Sequence, residues 1–128
     1  MNLSKSTFAL AFAATLCGCA SVTPLKTPSD LKVGDVVPVE AVEISNSAWY
    51  LLSCIPLFSG DVDRPNVGGC KLFQDTLTLQ NQMKMLEAEA RRVGATRAFD
   101  VSTATDEESI FFFVLKHWRV HTSAVLVK

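Results

Sequence analysis

The chain has 128 residues and a mass of 13.9 kDa, enough for one hydrophobic core and too few for two. Hydrophobic residues make up 48% and charged residues 20%, which excludes a disordered or fibrous composition. Twelve basic residues oppose thirteen acidic ones, a formal net charge of -1, so the basic excess expected of a nucleic-acid binder is missing.

Met1 to Ser6 is a short polar start carrying Lys5, and Phe8 to Leu16 is apolar apart from one Thr. This is the layout of a secretory signal, and the apolar run is far shorter than the roughly 20 residues of a spanning helix. A buried N-terminal helix is the bland alternative. Leu16-Cys17-Gly18-Cys19-Ala20 follows. It resembles the bacterial lipobox, in which a Leu, a tolerant position and a small residue precede a Cys. The resemblance implies that the Cys19 thiol receives a diacylglyceryl group, that the chain is cut after Gly18, and that the new amine is acylated. Cys17 occupies the tolerant position, where smaller residues are commoner. Ordinary cleavage after Ala20 is the runner-up. Ala20, in place of the Asp that retains such proteins in the inner membrane, implies outer-membrane sorting in a two-membrane bacterium. A multiply acylated Cys19 would hold the membrane stably.

Residues 1–18 are thus expected as a signal peptide, 19–32 as lipidated Cys plus extended tether, and 33–128 as one domain. The tether reading rests on Pro24 and Pro28 and on a lack of hydrophobic period. From Val33 to Ile44 the β-branched residues predict a strand, with Pro38 placing it at an edge or limiting its pairing. Ser45-Asn46-Ser47 predicts a turn. Ala48 to Phe58 is the most apolar internal stretch and predicts a second strand buried on both faces, ended by Pro56. The sharper alternative is an apolar edge that docks a partner or lies on the membrane.

Ser59 to Gly69, with three Gly and one Pro, predicts a loop. A helix is expected from Thr76 to Val93. Leu79, Met83, Leu86, Ala90 and Val93 form its apolar stripe, with Gln80, Lys84, Glu87 and Arg91 opposite. Asp75 or Thr76 would cap it, Glu87 would pair with Arg91, and Gly94 would stop it. Arg97 to Ala104 predicts a strand, Thr105 to Ser109 a polar turn, Ile110 to Leu115 a buried strand, and Arg119 to Val127 a last strand. Lys116-His117-Trp118 fits either a turn or the middle of one long strand. No internal repeat is present.

The expected fold is α+β: a small antiparallel sheet of about four to five strands packed by one amphipathic helix, in the order β-β-loop-α-β-β(-β). The runs Trp49 to Leu57, Ala88 to Ala95 and His121 to Lys128 resemble a group of uncharacterised small bacterial lipoproteins. That likeness implies an exported βα lipoprotein and transfers no activity.

Four constellations bear on chemistry. Cys54 and Cys70 are an even pair in an exported domain, which suggests a disulfide; two reduced thiols are the alternative. His117 and His121 are four apart, but on a strand that separates them by roughly 13 Å, too far for one ion unless the chain turns near Trp118. Asp61, Asp63 and Asn66 offer oxygens to Ca²⁺ without the full twelve-position pattern. His121 and Ser123 have no third catalytic member. No nucleophile elbow, phosphate loop or zinc-protease motif occurs.

The sequence therefore predicts a lipid-anchored periplasmic or outer-membrane lipoprotein acting as a structural or interaction module, not an enzyme, with no cofactor and no metal. Its expected partners are the membrane, through the lipid at Cys19, and an envelope protein, not nucleic acid. A small-ligand or metal-binding module, using the loop from Gly60 to Cys70 or the two His, is the alternative.

Overall fold

The computed structural model describes residues 19–25, 35–110 and 114–128. The expected signal peptide, and the tether beyond Leu25, lie outside the described residues. Among the described residues, six strands and one helix follow in the order β1 (Ala20–Leu25), β2 (Pro38–Leu51), β3 (Ile55–Gly60), β4 (Cys70–Leu72), α1 (Leu79–Val93), β5 (Arg97–Ile110) and β6 (Leu115–Val127). All pairings are antiparallel, in the order β4-β3-β2-β6-β5, with β1 also on β2. The α+β expectation holds in outline, but the fold is mostly sheet, with more strands than expected.

β2 is the spine. β6 pairs with it from Pro38 to Leu51. Its other edge is shared end to end by β1, opposite Ala41 to Asn46, and β3, opposite Ala48 to Leu51. Where these two strands meet, a Cβ on Gly60 would run into Asn46 Oδ1 and lie 2.5 Å from the Ala20 nitrogen and 2.6 Å from the Cys19 carbonyl carbon. Gly60 therefore permits a backbone approach that a larger residue would block.

The expected turn at Ser45-Asn46-Ser47 is the middle of β2. Two of these polar residues find tertiary partners that no local pattern reveals: the Asn46 side-chain NH2 donates to the Thr76 carbonyl at 2.9 Å, and Ser47 bonds Cys19. The reversal comes later, at Leu52 and Ser53, whose φ values of 51° and 65° are left-handed. Likewise, Thr105 to Ser109 is strand. β5 is an edge strand exposed for almost its whole length, so its polar residues meet water rather than mark a turn. Ile110 and Leu115 pair across the hairpin end, and the residues between them in the expected strand fall partly outside the described ones. Lys116, His117 and Trp118 lie within the continuous strand β6.

The tether is also revised. Ala20–Leu25 form β1, with Ala20 and Val22 buried in the core. Two inward residues are too short a period to stand out in sequence, and Pro24 is accommodated opposite Val42 on the outer strand.

α1 covers one sheet face. Thr78 caps its start, its hydroxyl accepting from the Asn81 N–H, rather than Asp75 or Thr76. Gly94 ends it at φ 70°, as expected, and the Glu87–Arg91 pair forms. The buried face is Gln82, Met85, Leu86 and Glu89, with Met83, Ala90 and Val93 partly covered. Leu79, expected to lead the stripe, is 62% exposed. The face is rotated because Gln82 and Glu89 are buried, which hydropathy counts against them. Glu89 is held by Arg92, whose guanidinium makes three hydrogen bonds to its carboxylate.

Candidate functional site

Strand alternation sends Val42, Ile44, Leu126 and Val22 toward α1, where they form the core. The intervening residues point to the opposite face, which carries no helix among the described residues. This open face holds Cys19, both His and Trp49. Antiparallel sheets tolerate such one-sided covering.

Cys19 is exposed and continues the β1 pairing by one step. The Ser47 N–H donates to its carbonyl at 2.9 Å, and its own N–H donates to Ser47 Oγ at 3.0 Å. β1 is fixed on its far side by Asn66, whose amide donates to the Val22 carbonyl at 2.9 Å and accepts from the Val22 N–H at 3.0 Å. The Asn66 N–H also donates to the Ala20 carbonyl. Asn66 is thus a structural clamp on β1.

Asp61 and Asp63 are engaged too. Lys71 lies 3.4 Å from Asp61 and 2.5 Å from Asp63, and Lys84 of α1 lies 2.5 Å from Asp63. Hydrogen bonds from Lys71 and then Lys84 hold the Asp63 carboxyl down at about 2, and Asp63 in turn raises Lys71. This ion cluster tacks the loop to β4 and α1.

The expected disulfide between Cys54 and Cys70 does not form. Cys54 is in the turn before β3, while Cys70 pairs with Gly60 at the strand's far end. The six-residue length of β3 separates them by about 20 Å, against the roughly 7 Å a disulfide allows.

His117 and His121 share the open face but have separate partners, as strand spacing requires. His121 places Nδ1 3.1 Å from Glu43 and Nε2 3.5 Å from Asp106. His117 stacks on Trp49, ring centroids 4.5 Å apart. Burial first, and Arg119 second, lower the His117 pKa, with Glu108 acting against them. Among the described residues no cluster of three or more His, Cys, Asp or Glu is arranged to hold a metal ion. Ser123 pairs with Glu43 and Ser102 across the sheet.

The open face changes chemistry along the strands. Around Cys19 its rows are polar: Ser47 with Arg119 and Asp106, then Ser45 with His121. Toward the β2–β3 turn one row reads Leu72, Phe58, Trp49, His117 and Glu108. The next reads Ile55, Leu51, Leu115 and Ile110. Leu52 and Val114 close this end, the Leu52 N–H donating to the Val114 carbonyl at 2.8 Å. The apolar run from Ala48 to Phe58 is plain in the sequence, but the pairing that assembles five strands into one patch is not.

Among the described residues no helix is long and apolar enough to cross a membrane. No family model, curated protein or solved structure matches the chain.

Proposed function

We propose that this protein is a lipid-anchored envelope lipoprotein, attached through Cys19 and acting as an interaction module rather than an enzyme. The single observation that carries the reading is the position of Cys19: an exposed thiol at the entrance to β1, just after an apolar run and a small residue. Acylation of the Cys19 amine would leave one amide N–H, which suits the single acceptor offered by Ser47 Oγ. Ala20 is buried and paired with Asn46, so cleavage after Ala20 would strip the first residue from β1. Sorting to the outer membrane, facing the periplasm, is part of the proposal and rests on Ala20 following the lipidated Cys.

Labelling with radioactive palmitate in the native host tests it. The wild-type chain should be labelled, Cys19→Ser should lose the label, and Cys17→Ser should keep it. Retained label in Cys19→Ser would overturn the assignment.

A further inference from the structure

We infer that the apolar half of the open sheet face rests on the bilayer surface beside the lipid at Cys19. The inference builds on the lipid-anchor reading and adds an orientation to it. Cys19 stands opposite Ser47, so Trp49 lies two residues further along β2 and Leu51 four, roughly 7 and 13 Å away at strand rise. All three side chains leave the same face. Acyl chains at Cys19 therefore emerge at the border between the polar and apolar rows. The clamp of Asn66 on Val22 leaves the start of β1 no slack to swing away.

The residues suit an interface. Leu72, 54% exposed, is in line with Phe58 and Trp49, and Ile55, 45% exposed, is in line with Leu51 in the next row. A joined apolar surface of this kind calls for an occupant. Trp49 sits at the border of the patch, the position Trp favours at membrane surfaces. His117, the polar ring of that row, is stacked on Trp49 and held toward its neutral form by burial. Glu108 is on the outermost strand. Arg119 and Asp106 share the row of Cys19, and His121 and Glu43 lie beyond it, away from the apolar rows. The bilayer is favoured over a second copy because any occupant must share this face with the acyl chains.

Full-length lipidated protein, purified from membranes and reconstituted into phosphatidylcholine–phosphatidylglycerol vesicles, tests the orientation. The chain has two Trp, and Trp118 points to the helix side beside Tyr50. In Trp118→Phe, emission from Trp49 should shift to the blue and be lost when the acyl chains are brominated. In Trp49→Phe, emission from Trp118 should not respond. Ile55→Ser and Leu72→Ser, at exposed positions outside the core, should each weaken the Trp49 response. Palmitate on Cys19 is measured in the same samples. Labelled protein whose Trp49 ignores brominated lipid overturns the orientation and leaves the anchor standing. Unlabelled protein overturns the anchor. Trp49 shielded from brominated lipid by self-association, seen as a dimer in sedimentation, gives the face to a second copy and also overturns the inference.

Discussion

Asn66 and Val22, 44 residues apart, are joined by two hydrogen bonds between the Asn66 side-chain amide and the Val22 backbone. The amide acts as a neighbouring strand would, closing the edge of β1 that β2 does not cover. A loop composed like a ligand-binding segment is thus the fastening of the first strand.

Asn66→Ala removes both bonds and leaves the Val22 N–H and C=O without those partners. We expect a loss of about 1–3 kcal/mol in stability and faster hydrogen exchange at the Val22 amide. Unchanged protection at Val22 would mean that β2 alone holds β1.

The rotated helix face is separable by two truncations. Met85 is 1% exposed and Leu79 62% exposed. Met85→Ala should cost about 2–5 kcal/mol, while Leu79→Ala should fall within about 0.5 kcal/mol of wild type. Chemical denaturation checks both, and the reverse ranking would restore the stripe headed by Leu79.

Gln82 is fully buried on the same face, and neither atom of its amide has a hydrogen-bond partner among the described residues. Met has nearly its shape without the polar atoms. Gln82→Met is therefore expected to raise stability by about 1–3 kcal/mol. A lower melting temperature would show that the amide is satisfied in solution.

Helix α1 marks where the sequence was readable and where it was not. The helix, its Gly94 stop and the Glu87–Arg91 pair follow from spacings within four residues, and all appear. The exact face does not follow, because Gln82 and Glu89 are polar by type and buried by context. The same limit hid β2: Asn46 reads as a turn residue, yet its amide is consumed by Thr76, 30 residues on. The disulfide expectation failed on distance along β3, which composition does not encode. The sequence leaves a turn at Lys116 to Trp118 open, and only the continuous strand β6 sets His117 and His121 on one face but apart.

His117 gives the domain a pH dependence. Its folded pKa lies below the ordinary 6.5, so the unfolded chain binds the proton more readily. This contribution is flat above the ordinary value. Stability then falls as pH drops from there to the folded value, and the loss levels off below it. The groups facing the ring are Trp49 from β2, Arg119 along β6 and Glu108 from β5. Melting temperatures taken from neutral to mildly acidic pH should decline more steeply in wild type than in His117→Gln. Equal slopes would place the proton uptake elsewhere.

The central claim is that the folded sheet begins at the residue that carries the lipid. Intact and peptide mass spectrometry of the protein extracted from native membranes tests it most directly. The account predicts a chain starting at Cys19, with a diacylglyceryl group on its sulfur and an acyl group on its nitrogen. A chain that begins at Met1 or Ser21, or a Cys19 thiol that alkylates freely in membrane-extracted protein, would contradict it.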